Sequence, residues 1–394
     1  MPSPPDVGAK RGVHPTGARV RTRSGAAVTG GDIGRRKSDH IQLAASDEHQ
    51  SRVGPGWADI TLVHDALPAA SAADVDLSVE LLGRRLRLPI VIAGMTGGHE
   101  DARHINGVLG RVATEAGIAM GVGSQRAALR DPALESTYAV ARERGPDAML
   151  FGNVGVSQLL DQDDGPGLSA SDLQRAVEMI DAAALVVHLN FLEESVQPEG
   201  QTRADGELEA IRRVVDAVDV PVILKETGAG ISRSVAMRAR DAGVAAIDVG
   251  GLGGTSFASI EAVRAAQAGD RVRARLGATF GTWGIPTAAS VAGCAGVLPV
   301  IATGGVRTGL DAAKAVALGA TVVGVGRPML QAAMIGEDAA MDWIEAFERE
   351  LRTAVFLTGG RRLGDLAATP RVIGGQLAEW LRQLDYPFTP SPDG

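Results

Sequence analysis

The sequence predicts an α/β fold, a (β/α)8 TIM barrel, and three observations point to it. Eight short, continuously apolar runs follow one another between residues 88 and 326. Patterns with helical spacing separate them, and each run ends in glycine, polar or charged residues. Parallel strands covered on both faces read as unbroken apolar runs, and a barrel gathers the loops after its strands onto one active-site face. A doubly wound sheet is the alternative arrangement of the same units.

In chain order the strand segments are LPIVIAG (88–94), IAMGVG (118–123), AMLFGN (148–153), ALVVHLN (184–190), PVILKE (221–226), AAIDVGG (245–251), LPVIATGG (298–305) and TVVGVG (321–326). Helical stripes occupy 105–117, 172–183, 207–218, 234–243 and 309–320, several closed by a glycine suited to a C-cap. The small-residue run 287–299 reads as a helix that buries Cys294. After the last strand, 341–359 and the apolar 380–384 are expected to pack against the barrel. Trp283, in a long loop after the sixth strand, is either a lid aromatic or a hydrophobic anchor.

Composition agrees with a barrel core. Of the 394 residues, 45% are hydrophobic but only 3% aromatic, and 51 are glycine, so the interior must come from Ala, Val, Ile and Leu with tight turns. The net charge is -8, yet residues 1–37 carry eight Lys or Arg against Asp6 and Asp32, which leaves about -14 on the rest. An acidic body disfavours nucleic acid as a partner. The single cysteine excludes an intramolecular disulfide or a cysteine metal cluster, and fits a cytoplasmic location. No apolar run approaches membrane-spanning length. Residues 1–32 read as a disordered basic extension.

The loops after the strands carry the chemistry. GGVR (304–307), joined to GRP (326–328), is where barrels commonly hold a phosphate, with glycine backbone N–H groups, Arg307 or Arg327, and a helix beginning near Thr308. Lys225 ends an apolar strand, where a cation requires an anion or electron-rich ligand. Schiff-base chemistry, a flavin edge, or an ion pair with Glu226 or Glu194 each satisfy that need. HLNFLEESVQPEG (188–200) sets His188 and Asn190 immediately before two carboxylates, Glu193 and Glu194.

Taken with RKSDH (36–40), MTGGH (95–99), VGSQR (122–126), KETGAGIS (225–232), DVGGLGGTSF (248–257), TWGIPTAAS (282–290) and GGVRTGLDAAKAVALGA (304–320), that segment resembles the type 2 isopentenyl-diphosphate isomerases, from about residue 35 to 333. The resemblance implies that residues 33–394 form an FMN-binding barrel with C-terminal helices, interconverting isopentenyl and dimethylallyl diphosphates with reduced FMN and Mg²⁺ in isoprenoid biosynthesis. It implies NADPH as reductant and a homo-oligomeric assembly. Its flavin contacts fall on Met95, Thr96, Ser124, Asn153, Lys225, Thr255, Gly304, Gly305, Arg307, Gly326 and Arg327. Its diphosphate contacts fall on Arg36, Lys37, Ser124 and Arg126, and its metal ligand on Glu194. His188, Asn190 and Glu193 fall at the catalytic positions, but Glu193 stands where the family has Gln, and Phe191 where Pro is usual. An ionised Glu193 would favour positive charge on the substrate, and a protonated one would donate. Two other functions fit the same residues: a prenyl-diphosphate-binding flavoprotein whose isomerase activity Glu193 has altered, and an FMN oxidoreductase of the α-hydroxy-acid oxidase or glutamate synthase type.

Overall fold

A computed structural model describes residues 50–163 and 165–386. The expected basic extension, Arg36 and Lys37 lie outside them. Eight parallel strands close into a barrel: β1 (Ile90–Ile92), β2 (Ala119–Gly121), β3 (Met149–Gly155), β4 (Ala184–Leu189), β5 (Val222–Glu226), β6 (Ala246–Asp248), β7 (Val300–Thr303) and β8 (Val322–Val325). Each pairs with its successor, and β8 closes on β1 with Val323 opposite Ile90 and Val325 opposite Ile92. All eight predicted runs are barrel strands.

The unbroken apolar runs divide by alternation into two faces. Val91, Ala119, Met149, Phe151, Ala184, Val186, Ile223, Ala246, Ile301 and Val322 fill the barrel interior. Leu81 and Leu86, from the hairpin Val79–Leu81 and Arg84–Leu86, join that cluster and plug the end where the strands begin. Intervening residues such as Ile90, Leu150, Leu185, Leu224 and Val323 pack outward under the helices. The interior is packed, so the opposite end is left to form a cavity.

Eight helices bear on the argument: α1 (Glu100–Ala116), α2 (Arg126–Arg130), α3 (Phe191–Val196), α4 (Phe257–Gln267), α5 (Gly309–Ala317), α6 (Arg327–Ile335), α7 (Glu337–Leu357) and α8 (Gly375–Gln383). Helix α1 ends at Gly117, whose φ of 63° lets its N–H turn back to the carbonyls of Ala113 and Thr114. Helix α7 packs over α1, α5 and α6, and α8 covers the segment around Trp57. The expected long loop after β6 instead contains α4 and a second helix, Arg271–Phe280, with exposed Trp283 edge-on to Phe280 beyond it. Cys294 is fully buried, as its small neighbours suggested. Among the described residues no helix is long and apolar enough to cross a membrane.

Candidate active site

Extending the inward alternation of each strand by one step generates the site. After Phe151 comes Asn153, after Val186 His188, after Ile223 Lys225, and after Ala246 Asp248. His188 is in register with Lys225, and Lys225 with Asp248, so three polar side chains stand on neighbouring strands at one level. Above them opens a cavity of about 730 Å³. Its wall contains Met95, Thr96, Ser124, Arg126, Asn153, His188, Asn190, Glu193, Glu194, Lys225, Thr255, Gly304, Gly305, Arg307, Gly326 and Arg327. Every expected site residue within the described chain therefore faces the same space.

One side of the wall is set by amides. Asn153 donates through Nδ2 to the Val122 carbonyl at 2.9 Å, which leaves Oδ1 as an acceptor 2.8 Å from His188 Nδ1. His188 consequently carries its proton on Nδ1 and offers Nε2 as an acceptor. Burial, and secondarily the Lys225 charge, pushes its imidazole down to about 3, so it is neutral near pH 7. Gln125, fully buried, accepts the Asn153 backbone N–H at 2.8 Å and donates to the Ala176 carbonyl, fixing the loop that carries Ser124 and Arg126. Thr96 is anchored by Asn106 of α1, hydroxyl to amide oxygen at 2.8 Å.

The opposite side is built from glycine. Gly304 and Gly305 have φ of 122° and 72°, and a Cβ on either would overlap the carbonyl of Gly251 or Gly253. Only glycine brings these backbones together. Arg307 spans them, donating to the carbonyls of Gly305 (3.2 Å) and Gly253 (3.3 Å) and to Gln50 Oε1 (3.2 Å). The helix expected near Thr308 is present as α5, but its end is already occupied. Asp311 accepts the N–H groups of Arg307 and Thr308, and Glu350 that of Gly309. Helix α6, whose N-cap Gly326 provides no side-chain cap, opens onto the cavity beside it.

Lys225 Nζ donates to the Glu226 backbone carbonyl at 2.5 Å, and it makes no ion pair among the described residues. Glu226 turns instead to its own loop, where one carboxylate oxygen accepts the N–H groups of Gly228, Ala229 and Gly230. Burial nevertheless pushes its carboxyl up to about 7. Of the three uses open to Lys225, the ion pair is therefore not the one seen.

The two adjacent carboxylates sit at the start of α3. Asn190 Nδ2 donates to Glu194 Oε1 at 3.0 Å and to Glu193 Oε2 at 3.3 Å. Glu194 Oε2 accepts the Gln201 N–H at 2.7 Å, while Glu193 Oε1 accepts from Gln197 Nε2 at 2.9 Å.

Comparison with known proteins gives this geometry a family. A family model described as FMN-dependent dehydrogenase matches residues 169–372. The isopentenyl-diphosphate delta-isomerase of Archaeoglobus fulgidus is 45% identical over 347 residues, covering 88% of this chain and 98% of that protein. The protein of the same name from Methanothermobacter thermautotrophicus is 47% identical over 356 residues, 90% and 97% of the two chains. The chain belongs to the isopentenyl-diphosphate delta-isomerase family. Solved structures of mandelate oxidase share the fold, with a TM-score of 0.56, 22% identity and coverage of 89% of this chain and 100% of theirs.

Within this isomerase family the cavity also exposes residues that the sequence did not single out. Arg130 follows Arg126 by one turn of α2, and both line the wall. Their spacing of four was the available signal. Gln158 carried none, because an isolated glutamine is compatible with any surface, and Gln197 entered only as the first residue of QPEG (197–200) in the resembling segment, with no role attached to it.

Proposed function

We propose that the protein interconverts isopentenyl and dimethylallyl diphosphates by a 1,3-allylic proton shift, with reduced FMN and Mg²⁺. The observation that carries this reading is the convergence of all sixteen described site residues on one cavity, in a chain aligned almost end to end with isomerases of that name. The cavity volume lies within the range of small-molecule sites.

The residues present fit FMN. Gly304, Gly305 and the end of α6 form a cradle that side chains would fill, with Arg307 beside it and Lys225 across the floor. Ser124 Oγ is buried without a partner among the described residues, as a ligand contact requires. When bound, the reduced flavin supplies an electron-rich ring that stabilises positive charge developing on an alkene.

Arg126, with Arg36 and Lys37 from outside the described residues, holds the diphosphate by charge-assisted hydrogen bonds. Neutral His188 presents Nε2 as an acceptor, and Asn190 orients Glu193 and Glu194 together. No group of three or more His, Cys, Asp or Glu among the described residues could hold a metal. A Mg²⁺ site needs no such group, because the ion keeps waters and substrate phosphate oxygens around one or two carboxylates. Glu194 is the proposed ligand. NADPH as reductant, a homo-oligomeric assembly and a cytoplasmic location complete the reading, and these rest on sequence alone.

Proton NMR of the purified protein with FMN, Mg²⁺, dithionite and isopentenyl diphosphate tests the proposal. Dimethylallyl diphosphate is expected only with reduced flavin. Bound reduced flavin with no conversion would instead favour the binding protein altered by Glu193, whereas a steady-state hydride donor and acceptor would favour the oxidoreductase.

A further inference from the structure

Behind Glu193 runs a line of alternating amide and charged groups. Gln197, 7% exposed, directs both hydrogens of Nε2 to carboxylates: Glu193 Oε1 at 2.9 Å and Glu261 Oε1 at 3.3 Å. Glu261 belongs to α4 and is 1% exposed, and its other oxygen accepts from Arg264 Nη1 at 2.7 Å, one turn along the same helix. Turning the Gln197 amide over would set its carbonyl oxygen against two carboxylate oxygens. Its orientation is therefore fixed by Glu261, and Glu261 is held in turn by Arg264.

A buried ion pair carries a desolvation cost, and a well-packed apolar pair would serve as well or better for stability alone. Its placement suggests another use. Helix α4 begins directly after the Gly250–Ser256 loop that lines the cavity, and α3 carries Glu193 and Glu194, so the line joins the cofactor side of the cavity to its carboxylate side. From the other direction Asn190 holds the second oxygen of Glu193. The side chain is gripped at both oxygens.

We propose that Gln197 is a positioning residue: backed by Glu261 and Arg264, it fixes the direction in which Glu193 presents its carboxyl group to the alkene end of the substrate. This rests on the isomerase reading above. It assigns a supporting structure to the one catalytic position where this chain departs from the family pattern, and it makes Glu193 a fixed part of the wall.

The test uses the full-length, FMN-loaded enzyme and a double-mutant cycle between Gln197→Leu and Glu193→Ala. Gln197→Leu is expected to lower kcat at least tenfold, with KM for isopentenyl diphosphate and FMN content each within twofold of wild type. In the Glu193→Ala background the same substitution should change kcat less than twofold, since its effect passes through the missing side chain. Additive losses, or a loss confined to KM or to FMN content, would overturn the proposal. A crystal structure of Gln197→Leu gives a readout independent of turnover: Glu193 is expected in more than one rotamer, and an unmoved Glu193 would also overturn it. If Gln197→Leu does not fold, Glu261→Gln is expected to give the same kcat-only loss, and wild-type kcat in that variant would count against the line. A wild-type enzyme that forms no dimethylallyl diphosphate defeats the isomerase reading itself, and the crystal structure then decides the positioning claim.

Discussion

His188 shows how a residue's chemistry follows from its strand position. At the inward end of β4 it loses water, gains Asn153 as an acceptor for its Nδ1–H and has Lys225 in register beside it. The loss of water, and secondarily the Lys225 charge, favour the neutral ring, while Asn153 sets its tautomer. The unfolded chain takes up a proton near pH 6.5, whereas the folded site resists one down to about 3. Stability from this group is thus complete above pH 6.5 and lost as pH falls, by about 2 kcal/mol at pH 5. Urea unfolding of wild type and His188→Gln at pH 7 and pH 5 should show wild type losing about 2 kcal/mol more than the variant. Identical losses would mean that the ring charges without penalty. His188 and Lys225 were legible in sequence because a polar residue at the end of an apolar strand is conspicuous. The role of Gln197, which stands in the QPEG motif, was not, since its partner Glu261 lies 64 positions away and only folding brings them together.

At the scale of elements, strands were easier to read than the helices after β6. Arg271–Phe280 buries only Gly277, so it lacks an apolar stripe, and its signal reduces to Asp270, whose side chain accepts the Arg273 N–H. Ser256 caps α4 in the same way, but the glycines before it read as a ligand loop. The glycines themselves can be separated by function. Gly305→Ala meets both a φ of 72° and the Gly253 carbonyl, whereas Gly296→Ala, at φ 73°, meets nothing within 4 Å. Both should lose about 1–2 kcal/mol for the left-handed conformation. Only Gly305→Ala should also weaken FMN binding, by tenfold or more in a fluorescence titration, because the cradle must open to admit the methyl group. Equal FMN affinity in the two variants would remove Gly305 from the cofactor site.

Across the whole molecule, the number and order of strands were readable because closure of a parallel barrel demands continuous apolar runs. The tie between the outer helices and the cavity was hidden, as it depends on one close approach. Helix α5 meets α7 backbone to backbone at Gly309: a Cβ there would overlap Leu351 N and the Phe347 carbonyl, and the Gly309 N–H donates to Glu350 at 2.7 Å. Gly309 follows directly on Thr308 and the loop of Gly304, Gly305 and Arg307, so a shift of α5 at this crossing is expected to reach the cradle. Gly309→Ala should cost about 1–3 kcal/mol by overpacking and weaken FMN binding as well. Phe347→Ala, which removes a buried ring from α7 without pushing on α5, should cost about 3–5 kcal/mol and leave FMN affinity unchanged below the melting transition. Thermal melts paired with FMN titrations separate the two cases. If the larger loss of stability also brings the larger loss of affinity, the cradle is responding to general softening, and the crossing at Gly309 has no special hold on it.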